Sequence, residues 1–188
     1  MGKLIQTDQI EVIDHDTFNH KSMLCSSRIK WGDWRNWEKY YSTILFFIIG
    51  DLFYNFIFFD YPMWRFFDGN PPIFGYDKFI VFSFIFFRYP ATVLIYLGKF
   101  PKGLRKGIIW FSFWVLLYFS IEVVKTYIGI VDHFNGWSLG WSFIFDIIIF
   151  TMIKLHFHRP LIAWVVGLIL AIILWIILDV PLNILNFK

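Results

Sequence analysis

Charged residues and cysteine are both scarce in this chain of 188 residues. Only 16% of the residues are charged, whereas a typical soluble domain has about 25%. Cys25 is the only cysteine, which excludes an intramolecular disulfide and a cysteine metal cluster. We therefore expect a free thiol in a reducing compartment.

Sequence motifs of several enzyme and cofactor classes are also absent. The chain has no Gly-rich phosphate loop and no His-Glu-x-x-His sequence, and its histidines lack the spacing of a metal site. We predict no cofactor, no bound metal and no catalytic residue. Whether the protein is an enzyme stays open, and a non-enzyme is favoured.

Apolar side chains make up most of the sequence. Hydrophobic residues account for 58% of the chain and aromatic residues for 23%, with 25 Phe and 10 Trp, and the mean hydropathy is +0.60. A soluble core of this size could not bury so many large side chains without leaving an extensive apolar surface, whereas a bilayer accommodates them. We predict an all-α, polytopic membrane protein that contacts the lipid bilayer and no nucleic acid.

Five segments are long and apolar enough to be transmembrane helices, since about 20 helical residues cross a hydrocarbon core of about 30 Å. The predicted spans are 41–60, 77–98, 106–128, 137–155 and 160–179. They form a predicted transmembrane domain, 41–188, which follows a cytoplasmic segment, 1–40.

The predicted cytoplasmic segment 1–40 ends in a tryptophan-rich stretch. Trp31, Trp34 and Trp37 are three residues apart, so their rings would share one face of a helix. This spacing predicts a helix that lies in the membrane interface. A helix that binds a partner protein is the alternative.

Lysine and arginine residues set the predicted orientation. They are concentrated before the first span, in loop 99–106 and in turn 154–159, whereas the opposite side has only Arg65 and Lys188. Because basic residues favour the cytoplasmic side, we predict a cytoplasmic N-terminus, an outside C-terminus and a location in the plasma membrane.

Away from the first and last two residues of each predicted span, five acidic or basic residues interrupt the spans: Asp51, Arg88, Glu122, Lys125 and Asp146. An unpaired charge at the bilayer centre costs at least about 2.5–3.5 kcal/mol, so such residues usually have partners or a function. Counted along the predicted helices, Asp51, Arg88 and Asp146 lie at one level near the mid-plane. We predict that the two aspartates hold the Arg88 guanidinium inside the bundle.

Neighbouring residues are expected to support Arg88. Asn55 lies one helical turn from Asp51 and is predicted to accept a remaining hydrogen bond of the guanidinium. Pro90 has no N–H, so the carbonyl of Phe86 is predicted to be a further acceptor beside a kink.

Glu122 is predicted to pair with Lys125, three residues along the same helix. The alternative is that Glu122 faces the same interior as the aspartates.

The predicted cluster has two aspartates for one arginine. Burial and a neighbouring carboxylate both favour the protonated form of an acid, so we expect one of Asp51 and Asp146 to be neutral near neutral pH. The cluster is then either a structural clasp, meaning polar contacts that only hold helices together, or a working proton site. The clasp is favoured.

Small residues recur at a spacing of four in the last two spans. They are Ala163, Gly167 and Ala171, and also Gly136 and Gly140. Small residues let two helices approach closely. Packing within the chain is the first prediction, and a homo-oligomer or a membrane-protein partner is the alternative.

Four stretches taken together resemble a known family. They are GDLFYNFIFFDYPMW, YPATVLIYLGKFPKG, NGWSLGWSFIFD and KLHFHRPLIAW. As a set they resemble a functionally unnamed family of small multi-span membrane proteins of spore-forming Gram-positive bacteria, over about residues 30–182. The resemblance implies a bacterial inner-membrane protein and supplies no activity, substrate or catalytic residue.

Three functions remain in competition. The first is a non-catalytic accessory, scaffold or sensor subunit of a membrane assembly. The second is a small proton-linked permease or channel that uses Asp51, Arg88 and Asp146. The third is an intramembrane lipid-modifying enzyme with a carboxylate as its base.

Overall fold

Helices dominate the computed structural model, which describes residues 32–66 and 82–182. The α-helices are α1 (Glu38–Ile57), α2 (Tyr89–Gly98), α3 (Leu104–Tyr127), α4 (Leu139–His158) and α5 (Pro160–Ile177). A 3-10 turn, Trp34–Asn36, precedes α1, and a π-helical turn, Phe84–Arg88, continues directly into α2.

Four of these helices, α1, α3, α4 and α5, are long and apolar enough to cross a membrane. Their mean hydropathy runs from 1.3 in α1 to 2.8 in α5. The prediction of a mostly helical chain with several helices long and apolar enough to cross a membrane is confirmed. The predicted second span, 77–98, is described only in part, as the shorter apolar helix Phe84–Gly98, and residues 77–81 lie outside the description.

Successive helices run in opposite directions, so the bundle has two ends. The basic end carries loop 99–103 and the turn between α4 and α5, and the sheet end carries the loops that follow α1 and α3. Helix α4 is central and contacts α1, α3 and α5, while α1 also packs on α2. Polar residues in α4 are therefore placed to meet those of two other helices.

A small sheet joins two loops at the sheet end. Strand β1 (Trp64–Phe66) pairs antiparallel with strand β2 (Val131–His133), with Trp64 opposite His133. The all-α prediction is wrong in this detail. Because α1 and α3 end at the same side of the bundle, the loops that follow them meet, and strand pairing satisfies backbone groups that lie outside any helix.

Aromatic rings fill the interior between α2, α3 and α4. The side chain of Phe150 is fully buried, and its ring centroid lies 5.1 Å from that of Tyr96, 5.8 Å from Trp114 and 5.0 Å from Tyr118. Aromatic pairs of this kind add about 0.5–1.5 kcal/mol each beyond the area that they bury. They fix the distance between the helices that carry the ionisable residues.

The chain before α1 docks on the end of α2. The backbone N–H of Asp33 donates to Leu94, and the hydroxyl of Tyr40 donates to the Asp33 carboxylate at 2.9 Å. A Cβ on Gly98 would lie 2.9 Å from Cβ of Asp33, so this contact requires glycine.

Of the predicted tryptophan stripe, Trp31 lies outside the described residues. Trp34 and Trp37 are 41% and 48% exposed. Trp37 meets Tyr41 edge to face, with ring centroids 5.6 Å apart.

Candidate functional site

The five intramembrane ionisable residues lie in one cluster near the sheet end. Counted at about 1.5 Å per residue, Asp51, Glu122 and Asp146 are about 8–11 Å from the ends of their helices. The level is therefore nearer the sheet end than the predicted mid-plane, because α1 ends at Ile57 and α4 begins at Leu139. Charge interactions connect Arg88 with both aspartates, and they also connect Asp146 with Glu122.

Arg88 lies between aromatic rings rather than in a carboxylate fork. Its Cζ atom is 4.7 Å from the ring centroid of Phe84 and 4.3 Å from that of Tyr118. In the described part of the chain, the one ion pair within 4.0 Å joins Glu122 to His133. The predicted direct contact of Arg88 with the aspartates is thus wrong. Ring faces stabilise the cation at short range, and the carboxylates act on it from farther away.

A π-helical turn sets the position of Arg88. The N–H of Tyr89 bonds to the carbonyl of Phe84, five residues back, where an α-helix would use the residue four back. Pro90 follows, and its missing N–H leaves the carbonyl of Phe86 without its α-helical partner. The wider turn directly before proline accommodates this defect, and such turns are frequent at functional sites.

One of the two carboxylate oxygens of Asp51 has a hydrogen-bond partner among the described residues. The hydroxyl of Tyr89 donates to its carboxylate and so joins α1 to α2. Its Oδ2 atom is buried and has no hydrogen-bond partner among the described residues. Asn55 does not reach Arg88 as predicted. Its amide nitrogen donates to the backbone carbonyl of Asp51 at 2.8 Å, because that carbonyl is one turn away on the same helix.

Lys125 adds a second cation beside Arg88. Its Nζ atom lies 5.1 Å from the ring centroid of Phe84 and 5.3 Å from that of Phe66, so two cations share the Phe84 ring. Lys125 also interacts electrostatically with Glu122, but the closest polar partners of that carboxylate are other residues. The predicted Glu122–Lys125 pair is therefore a longer-range interaction.

Glu122 is the hydrogen-bonding centre of the cluster. Its Oε1 atom lies 3.0 Å from Nε2 of His133 and also accepts a hydrogen bond from the hydroxyl of Ser142. The indole N–H of Trp137 donates to the oxygen of Ser142 at 2.8 Å. These bonds connect α3, β2 and α4. The alternative prediction, that Glu122 faces the shared interior, matches this arrangement.

Asp146 is the most enclosed of the acids. Its exposed fraction is 5%, and its Oδ2 atom has no hydrogen-bond partner in the described ranges. It interacts by charge with Glu122 and with Arg88. An acid in this position is repelled by one neighbour and attracted by the other.

Aromatic rings cover the cluster at the sheet end. The ring of Trp64 stacks on Tyr54 at 4.1 Å between centroids and lies 5.1 Å from Trp137. The hydroxyl of Tyr54 accepts the N–H of Met63 at 3.0 Å, and Met63 is 2% exposed. The cover is built on the end of α1, on β1 and on the turn before α4.

His133, Ser142 and Tyr89 also belong to the cluster, although the sequence did not predict a role for them. His133 lies in a short loop strand, and its distance from Glu122 depends on the pairing of β2 with β1. Ser142 lies four residues before Asp146, so it shares one face of α4 with that acid. This four-residue spacing is the sequence feature that could have indicated a role for Ser142.

The chain also contains a serine motif of the kind found in some hydrolases. Residues 136–140 read Gly-Trp-Ser-Leu-Gly and have the Gly-x-Ser-x-Gly spacing of a nucleophile elbow. Here Ser138 is the exposed residue before α4 and has extended backbone angles, and no hydrogen bond joins it to His133 among the described residues. The buried Ser142 bonds to an acid and not to a histidine, which differs from a serine–histidine–acid relay.

Small residues help α5 pack on α4 over part of its length. Ala163 is fully buried, and a Cβ on Gly167 would lie 3.5 Å from Met152 on α4. Ala171 is exposed.

The pair Gly136 and Gly140 does not pack against another helix, contrary to the prediction. Gly136 has φ +80° in the turn before α4 with open space around its Cβ position, and a Cβ on Gly140 would meet only Ser138. Turn geometry therefore accounts for Gly136.

No group of three or more potential metal ligands occurs in residues 32–66 and 82–182. His156 is buried, lies 3.1 Å from the hydroxyl of Thr43 and stacks on Phe46 with centroids 4.3 Å apart. These contacts use the imidazole in packing.

Comparison of the chain with protein-family models, with curated proteins and with solved structures gives no match. The resemblance to membrane proteins of spore-forming bacteria therefore stays a prediction, and the function must be argued from the cluster itself.

Proposed function

We propose that this protein is a non-catalytic accessory, scaffold or sensor subunit of a membrane assembly, and that its ionisable cluster is a structural clasp. One observation carries this proposal: Asp51, Arg88 and Glu122 each make a contact that joins two different elements. Asp51 and Tyr89 join α1 to α2, Arg88 packs on Tyr118 of α3, and Glu122 joins α3 to β2 and α4. Contacts of this kind use the charges to fix the relative positions of helices.

The surface of α5 supports a role in an assembly. Ala163 is the buried residue of this helix, and Ile172 and Ile176 are 61% and 71% exposed. Without a hydrophobic driving force in lipid, helices associate through close packing and polar contacts. A partner helix could pack along this face as α4 packs on the other.

We further propose five spans with the basic end in the cytoplasm of a bacterial cell and the C-terminus outside. Lys102, Arg105 and Lys106 lie at the basic end, together with Lys154 and Arg159, and in the described loops of the sheet end the basic side chain is Arg65. Such an asymmetry favours a cytoplasmic location for the basic end.

Site-specific photo-crosslinking in membranes of the native organism tests the assembly. A photoreactive residue would replace Ile172 on α5 or, as a matched control, Ile109 on α3, which is 69% exposed. We expect a discrete protein adduct from position 172 and none of the same mass from position 109. The same set of adducts from both positions would contradict a specific assembly through α5.

A small proton-linked permease or channel is the second candidate. Buried Oδ2 atoms of Asp51 and Asp146 that have no hydrogen-bond partner among the described residues favour it, because such oxygens can accept a proton. Purified protein in vesicles with an internal pH indicator would separate the two. The clasp predicts no proton flux above that of empty vesicles, and a flux that Asp146→Asn abolishes would favour the permease.

A further inference from the structure

A groove of about 540 Å³ opens at the basic end, on the opposite side of the bundle from the ionisable cluster. It lies between the loop after α2, the first two turns of α3 and the last turn of α4. Its lining includes Phe100, Leu104, Ile108, Phe111, Lys154 and His158. Sites for small organic ligands usually have volumes of about 300–1,000 Å³.

The ring of Phe100 holds the ammonium group of Lys154 in this groove. The ring packs on Gly107, where a Cβ would lie 3.2 Å from a ring carbon. Nζ of Lys154 lies 3.7 Å from the ring centroid, and Tyr96 meets the ring edge to face at 5.5 Å. Since an ammonium over an aromatic face keeps its charge and its hydrogen-bond donors, Lys154 is held in position to bind an anion.

The lining of the groove and the loop beside it carry basic and no acidic side chains. Residues 99–106 read KFPKGLRK, with four basic and no acidic residues, and Lys102, Arg105 and Lys106 are exposed. His158 and Arg159 follow at the end of α4. Basic pockets between transmembrane helices attract the headgroups of anionic lipids.

The other wall of the groove is apolar and follows α3 away from the charges. Leu104 and Ile108 are 82% and 56% exposed and lie one turn apart. A ligand that fits both walls has an anionic group at one end and a hydrocarbon chain at the other.

We propose that this groove binds one anionic phospholipid, with its phosphate against Lys154 and His158 and one acyl chain along Leu104 and Ile108. This proposal does not depend on the proposed function, because the groove lies at the opposite end from the cluster. The protein would then have a lipid-binding site at its basic end.

Native mass spectrometry of the full chain in detergent tests the proposal. Phosphatidylglycerol and phosphatidylcholine with identical acyl chains would be titrated separately. We expect one phosphatidylglycerol to be retained at least about tenfold more tightly than phosphatidylcholine, because its headgroup carries a net negative charge beside Lys154 and the basic loop 99–106, whereas phosphatidylcholine has no net charge. Equal retention of both lipids would overturn the proposal.

A charge variant locates the site. Lys154→Gln combined with His158→Gln should bring the two lipids to within about twofold of each other. Lys39→Gln is the matched control, because Lys39 also lies over aromatic rings, 5.4 Å from the centroid of Phe157, but does not line the groove. If Lys39→Gln removes the preference equally, the effect belongs to the general basic surface and the proposal fails.

A second pair of variants avoids any dependence on Lys154 packing. Leu104→Glu places a carboxylate at the groove, and Leu161→Glu places one outside it, also in the first turn of a helix at the basic end. The two leucines are 82% and 80% exposed, so both variants should fold. We expect only Leu104→Glu to abolish the phosphatidylglycerol preference. The proposal fails if both variants lose it or both keep it.

Glycerol phosphate tests whether the acyl chain is required. The proposal predicts that it competes with phosphatidylglycerol at least about a hundredfold more weakly than the lipid does, because it cannot contact the apolar wall. Equal competition would assign the groove to a soluble phosphate compound and overturn the lipid proposal.

Discussion

Nε2 of His133 lies 3.0 Å from Oε1 of Glu122, and this contact attaches the two-stranded sheet to helix α3. The same carboxylate oxygen accepts the hydroxyl of Ser142 on α4. One side chain of α3 therefore contacts groups from two other elements, β2 and α4. Because buried hydrogen-bonding groups cost free energy when they lose their partners, the stability of the sheet end should depend on this carboxylate.

Replacement of Glu122 should show how much the shared carboxylate contributes. Glu122→Ala removes the acceptor for both His133 and Ser142, and we expect it to lower the free energy of unfolding by about 2–3 kcal/mol. Glu122→Gln keeps an oxygen acceptor and should cost about 1 kcal/mol. Unfolding in mixed detergent, followed by circular dichroism, measures both. The exposed Glu38 is the control, and Glu38→Ala should cost less than about 1 kcal/mol; equal losses at 38 and 122 would contradict a central role for Glu122.

The hydroxyl of Ser142 should contribute more to the free energy of unfolding than the hydroxyl of another serine in a long helix. Ser142→Ala leaves the indole N–H of Trp137 without its acceptor, so we expect a loss of about 1–2 kcal/mol. Ser120→Ala, on the exposed face of α3, should change stability by less than about 0.5 kcal/mol. Thermal unfolding of the two variants in the same detergent makes the comparison. A Ser142 variant as stable as the Ser120 variant would mean that this hydrogen bond contributes nothing.

Arg88 should tolerate a change of cation better than the loss of charge. Arg88→Lys keeps a positive charge over the rings of Phe84 and Tyr118 and should cost about 1 kcal/mol. Arg88→Leu leaves three acids with Lys125 as the cation of the cluster, and we expect a loss of about 3–5 kcal/mol and a lower insertion yield. Insertion yield and unfolding in detergent report both effects. Arg105→Leu, an exposed change at the basic end, should leave both unaltered, and an Arg88→Leu variant that matches it would refute the clasp.

Labelling of single cysteines tests the proposed orientation. In the natural sequence Cys25 should react with a membrane-impermeant maleimide only after cells are opened. In a Cys25→Ser background, Lys102→Cys at the basic end should behave in the same way, whereas Asp132→Cys at the sheet end should react in intact cells. Both positions are exposed. The reverse labelling pattern would show the opposite topology. Labelling of both sites from the same side would exclude a membrane span between residues 102 and 132.

Hydropathy was sufficient to predict the four long helices, because the length and polarity of a span are set by the bilayer. The depth of Asp51, Glu122 and Asp146 could also be approached by counting residues. Counting residues does not show in which direction a side chain faces around its helix. The packing of Arg88 on Phe84 and Tyr118 could therefore not be predicted.

Long-range pairing explains the other differences from the sequence predictions. His133 reaches Glu122 because β2 pairs with β1, and a three-residue strand leaves little signal in a sequence. Gly136 was predicted to pack against a helix because the spacing to Gly140 suits close contact, but its positive φ serves a turn. Spacing alone does not distinguish these two uses of glycine.

The central claim is that Arg88 and the surrounding acids act as one charged unit. A double-mutant cycle of Arg88→Leu and Asp146→Asn tests it most directly, with the free energy of unfolding measured for all four proteins. In the natural background Asp146 is attracted by Arg88 and repelled by Glu122, so Asp146→Asn should have a small effect. In the Arg88→Leu background only the repulsion remains, and Asp146→Asn should raise the free energy of unfolding, with a coupling of at least about 1 kcal/mol. An equal effect of Asp146→Asn in both backgrounds would contradict the account.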